Sequence, residues 1–205
     1  MKSFIIILFL SPFLSFTQAK TAKELLNKEM KKYSMNSGNI VYEITGDATG
    51  TEELTFSQYG WSSLKKQTMN FELYGITSVQ SIHEVRDGDF AYRLKAKDST
   101  LIKRVDLKWS SIASYKTPEE LSEAILFSLG GTYNSDSTLN DKKCQVWTFE
   151  NKALKEMWIW NGLVMKRRTK LGDRLVISTA KKIDLDIDVD PEIFEIPNYF
   201  TEKND

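Results

Sequence analysis

Residues 154–197 constrain the fold of this chain more than any other stretch, because they read as three consecutive antiparallel strands with their turns marked. Residues 155–160, Lys-Glu-Met-Trp-Ile-Trp, run into Asn161-Gly162, a pair suited to the two positive-φ positions of a type I′ hairpin. The chain continues over 163–169, turns at Gly172-Asp173 and returns over 174–190. In that last strand Ile183, Leu185, Ile187 and Val189 fall on one face, while Asp184, Asp186, Asp188 and Asp190 fall on the other. Such alternation describes a sheet with one buried face and one wet face.

The first residues read as a leader rather than as structure. Met1-Lys2-Ser3 is a short basic start, the run from Phe4 to Phe16 is almost wholly apolar, and Thr17-Gln18-Ala19 ends on a small residue. This is the pattern of a secretory signal peptide over residues 1–19, leaving one domain over 20–205. A run that short, with Pro12 inside it, argues against a spanning helix. Lysine rather than cysteine follows the expected cleavage point, so no lipid anchor is predicted and the mature chain is expected in the periplasm or outside the cell. The only cysteine, Cys144, has no partner for an internal disulfide and reads as a buried thiol. Losing Lys2 with the leader leaves 27 basic against 28 acidic residues, a balance that gives no electrostatic reason to expect nucleic acid.

Along the mature chain, Thr21-Ala-Lys-Glu24 has the spacing of a capping box, and Leu25, Leu26, Met30 and Tyr33 follow at helical spacing. The period then changes to two, with strands expected over 40–45, 50–58, 60–67, 69–74, 81–86, 89–95 and 101–107. Thr117-Pro118-Glu119-Glu120 announces a second helix, apolar at Leu121, Ala124, Ile125, Leu126, Phe127 and Leu129 and stopped by Gly130-Gly131. A polar loop is expected over 132–143, then a strand over 144–150 leading into the closing meander. The reading is an α+β fold, a large curved antiparallel sheet of about ten or eleven strands with an N-terminal helix and an inserted helix.

The residues for chemistry are sparse. With His83 as the only histidine, a histidine mechanism has one candidate, and no Gly-x-Ser-x-Gly elbow, zinc cluster or phosphate loop accompanies it. The spacing Asp184-x-Asp186-x-Asp188 with Glu195 at the twelfth position resembles a calcium loop. Val189 stands where such a loop needs glycine, so the acidic face of a strand is the better reading. No catalytic residue, metal or cofactor is therefore assigned, and an enzyme is not expected. Trp147, Trp158 and Trp160 lie on neighbouring expected strands, as core or as the wall of a cavity.

The order of elements resembles the superfamily of periplasmic lipoprotein carriers and receptors of the Lol system. The residues that carry it are the leading segment from Glu24-Leu-Leu-Asn-Lys28 to Tyr33, the hairpin Trp158-Ile-Trp160, Asn161-Gly162, Leu163-Val-Met-Lys166, and the ending Asp190-Pro191-x-x-Phe194-x-x-Pro197. That resemblance implies an unclosed β-barrel whose hydrophobic cavity, beneath a helical lid, takes acyl chains. It makes the helix from Pro118 to Leu129 the lid and implies an exported, monomeric binding protein for a lipid or lipoprotein acyl chain. The expected lining is Leu121, Ile125 and Leu129 from the lid, with Trp147, Trp158 and Trp160 from the sheet. An envelope scaffold that docks a protein partner and holds no lipid is the alternative.

Overall fold

The asparagine and glycine expected to turn the closing hairpin do so: Asn161 and Gly162 have φ of 50° and 83°, and Trp160 pairs with Leu163 across them. The structure, a computed structural model, describes residues 31–203 apart from 74, 96–98, 106–116, 151 and 199. The expected signal peptide lies outside the described residues, as does most of the leading helix. The part that is described, residues 31–36, forms bends rather than a helix.

Among the described residues twelve strands form one sheet. They are β1 Gly38–Gly46, β2 Thr49–Ser57, β3 Ser62–Leu73, β4 Ile76–Asp87, β5 Phe90–Lys95 and β6 Thr100–Val105, then, beyond the helix α1 Pro118–Ser128, β7 Gly131–Leu139, β8 Lys142–Phe149, β9 Leu154–Trp160, β10 Leu163–Leu171, β11 Arg174–Leu185 and β12 Thr201–Lys203. The order across the sheet is β12-β6-β5-β4-β3-β2-β1-β11-β10-β9-β8-β7, so the two ends are not joined and the barrel is open. All pairs are antiparallel except β12 with β6.

Three local expectations need correction. The expected polar loop over 132–143 is mostly strand β7, closed to β8 by Asn140 and Asp141, both at positive φ. As an edge strand β7 is largely exposed, so no buried face marks it in the sequence. The two strands expected over 60–67 and 69–74 are one, β3, paired without interruption to β4. The last strand of the meander stops at Leu185, because Asp186 turns to φ 51° and donates its N–H to the Ser37 carbonyl at 2.9 Å. Ile187 and Val189 therefore lie beyond the strand, yet both stay half-buried while Asp186, Asp188 and Asp190 are exposed.

The second helix forms where its cap predicts. Thr117 Oγ1 accepts the Glu120 N–H at 3.1 Å, and the Glu120 carboxylate accepts the Thr117 N–H at 3.3 Å. Two of the orphan donors of the first turn are satisfied in this way. Leu126 then packs with Trp147, Phe149 and Ile159, which fixes α1 against β8 and β9.

Both faces of the sheet carry apolar clusters. On β1, Ile40, Tyr42 and Ile44 are buried while Val41 and Glu43 point the other way, and Phe56, Met165 and Ala180 join Ile40 and Tyr42 in one core. On the opposite side Leu64, Val85, Leu94 and Leu101 are covered by Phe194, Ile196 and Phe200, so the aromatic and proline ending folds back as a cover. Cys144 is buried and free within the first of these cores, as a small apolar side chain would be.

Candidate binding cavity

Strong curvature places distant strands face to face. Arg167 on β10 reaches Glu52 on β2, Nη2 to Oε2 at 3.1 Å, although β1 and β11 lie between those strands. Neighbouring strands in a flat sheet are spaced by about 4.8 Å, so strands this far apart in a flat sheet would not touch. Gln67 on β3 donates to the same Glu52 oxygen at 2.5 Å, and Tyr42 Oη donates to the Val164 carbonyl at 2.8 Å. Burial, followed by the Glu52 charge, raises the Tyr42 phenol well above its ordinary value, so it stays a neutral donor.

Beside this polar bridge lies a partly open cavity of about 470 Å³ between β3 and β4 on one side and β9 and β10 on the other. Its apolar wall is Ile44, Met69, Ile82, Leu154, Met157, Leu171 and Val176. The polar lining is Lys65, Gln67, Gln80, Arg167, Thr169 and Ser178, with no carboxylate among the lining residues. The buried Ser178 Oγ has no hydrogen-bond partner among the described residues. A cavity of this size, apolar with a few directed polar groups, has the usual character of a small-molecule site.

A buried carboxylate organises the charge at one end. Glu84 on β4 has no exposed side-chain surface. Arg86 donates to its Oε1 through Nε at 3.1 Å and Nη2 at 3.0 Å, and Arg104 Nη2 donates to Oε2 at 2.7 Å. Arg93 Nη2 stands 3.5 Å from Oε2 and Lys65 Nζ 4.0 Å from Oε1. The register explains the gathering, since Lys65 and Arg93 sit directly opposite Glu84 on β3 and β5. Burial pushes the Glu84 carboxyl up, but Lys65 and Arg86, with Arg104 behind them, hold it below the ordinary carboxylate value. Burial lowers the Lys65 ammonium from its usual value against the pull of Glu84.

Residues singled out from the sequence divide among several places. Leu121 is buried and, with Ile125, lines a smaller cleft of about 180 Å³ that also contains Tyr33, Ser63 and Arg86. Leu129 follows α1 and is 50% exposed, and Phe127 is 75% exposed. Trp147 is buried opposite Met157, with its ring 5.9 Å from Tyr133 and α1 beside it. Trp158 pairs with Val146 and Lys166 instead, on the other face from Trp147, and Trp160 carries Lys142 over its ring at 4.7 Å. The three tryptophans thus do not form one wall. His83 is exposed on β4 opposite Lys66, and burial and then the Lys66 charge lower its imidazole. Asp184 pairs with Lys182 at 2.6 Å, and Asp186 accepts the Asn36 N–H at 3.3 Å.

The residues that line the 470 Å³ cavity carry no mark of it in the sequence. Met69, Met157, Thr169 and Val176 alternate with outward residues in the expected way, but alternation alone does not say which face is concave.

No family model matches the chain, and no curated protein matches it. Among solved structures, an uncharacterized conserved protein from Thermus thermophilus superposes with a TM-score of 0.53 at 7% identity, over 91% of this chain and 100% of that one. A β-barrel-like protein of a domain of unknown function from Brucella abortus gives 0.45 at 8% identity, over 75% and 99% of the two chains. LprF from Mycobacterium bovis gives 0.37 at 10% identity, over 87% and 97%. At such identities the first likeness is one of fold, an open antiparallel sheet shared almost from end to end with the Thermus protein.

Proposed function

We propose that this protein is an exported, non-catalytic binding protein that holds a single acyl chain in the concave cavity of its half-barrel. The observation that carries this reading is the apolar wall of Met69, Ile82, Leu154, Met157, Leu171 and Val176, gathered from strands on both sides of the curled sheet. Burial of a chain there is favourable by about 0.8 kcal/mol per methylene removed from water. An open sheet suits the task, because the unjoined strands leave room for a long guest to enter from the side. The sequence resemblance to the Lol superfamily supports the same class of ligand. The leader over residues 1–19 supports export. Among the described residues no helix is long and apolar enough to cross a membrane.

Native mass spectrometry of protein purified from an exporting host tests the reading. A discrete adduct of lipid mass, released by organic extraction and restored by adding the extracted lipid, is expected. A clean apoprotein mass that no added lipid or fatty acid shifts would remove the proposal.

A further inference from the structure

The charge around the cavity carries the reading one step further. A second cleft, of about 740 Å³, adjoins the apolar cavity and shares Gln67, Gln80 and Ile82 with it. It forms where β4 outruns its neighbour: β5 pairs with β4 only from His83 to Asp87, and no described strand pairs with the outer edge of residues 76–82. Lys66, His83, Arg93 and Lys95 supply its charged wall. Neither lining contains a single aspartate or glutamate, in a chain with 28 acidic and 28 basic residues. The buried carboxylates beside them are already paired, Glu84 with Lys65, Arg86, Arg93 and Arg104, and Glu52 with Arg167 and Gln67. Arg93 is tied to Glu84 through Nη2 alone, and its buried Nε has no hydrogen-bond partner among the described residues.

We infer that the ligand is an anionic amphiphile, with its carboxylate or phosphate head in the Arg93, Lys66 and Lys95 cleft and its chain in the adjoining apolar cavity. This rests on the acyl-binding reading and specifies its head group. Arg93 is the anchor. Its guanidinium is held by Glu84 through Nη2 while the side chain stays 40% exposed, so it can meet a second anion, and a guanidinium binds oxyanions well. Lys66 and Lys95 add charge at the open edge, where a head group stays in contact with water.

Dodecanoate, dodecyl phosphate and dodecanol share one chain and differ in the head, so competition of each against a fluorescent fatty acid separates the contributions. At least one anionic compound is expected to bind about tenfold tighter than the alcohol, with the advantage shrinking at high salt. Which of the two leads identifies the head as carboxylate or phosphate. In Arg93→Gln the advantage is expected to collapse while dodecanol binding stays unchanged. Lys66→Gln with Lys95→Gln, both at the exposed rim, gives the same test without touching Glu84. Equal affinities for all three compounds would overturn the head-group assignment and leave the acyl site standing. If none of the three binds, the acyl-binding reading falls with it.

Discussion

Thr169→Trp is expected to weaken binding of a single-chain amphiphile by more than about tenfold while leaving the sheet intact. Thr169 lies on β10 between Val176 of β11 and Leu154 of β9, half-buried, on the wall of the apolar cavity. An indole there fills space that the chain of a ligand would occupy. Excluding even two methylenes costs about 1.6 kcal/mol, which already exceeds tenfold in affinity. Tryptophan is as acceptable as threonine in a strand, and the cavity takes its volume without forcing core side chains aside. Thr179→Trp is the matched control. Thr179 pairs with Lys166 and Glu43 and alternates with Ser178, so it faces away from the cavity. Titration of a fluorescent fatty acid, alongside circular dichroism of both variants, separates the two positions. Equal losses in both would mean that the cavity is not where the chain binds.

Glu84→Ala is expected to destabilise the protein by about 3 kcal/mol. Removing one partner of a buried ion pair costs about 3–5 kcal/mol when the remaining charge stays buried. Here the arginines are 37%, 40% and 48% exposed at Arg86, Arg93 and Arg104, so they can turn partly to water and the lower end applies. Urea unfolding of the wild type, Glu84→Ala and Glu84→Gln measures the loss. The pH dependence gives an independent check. Because the folded carboxyl is held below its ordinary value, its ionised form stabilises the protein above that value, and this contribution is lost as the pH falls through the lowered one. Glu84→Gln is therefore expected to lose less stability on acidification than the wild type. Identical acid slopes for the two would show that the carboxylate contributes nothing through its charge.

Legibility in the sequence tracked how much of each signal was local. Asn161-Gly162 and the Thr117 capping box depend on a few adjacent residues, and both formed as read. β7 leaves no mark in the sequence because an exposed edge strand has no buried face to make it alternate. The end of β11 was misplaced because Asp186 is turned by a tertiary hydrogen bond to Ser37, far earlier in the chain and in a stretch with no local mark. The Glu84 cluster was lost to a small shift in register. A turn at Asp87-Gly88 would place Glu84 opposite Ala91, whereas the observed turn at Gly88-Asp89 places it opposite Arg93. The cavity was the least legible feature, since its walls come from β3, β4, β9 and β10 and meet only when the whole sheet curls.

Photolabelling with a diazirine-bearing fatty acid, followed by peptide mapping, tests the location of the bound chain directly. Saturable labelling at Met69, Met157, Leu171 or Val176, suppressed by unlabelled fatty acid and by Thr169→Trp, is the expected result. Labelling confined to the exposed groove of Phe127 and Trp147 beside α1, or labelling that no competitor suppresses, would contradict it.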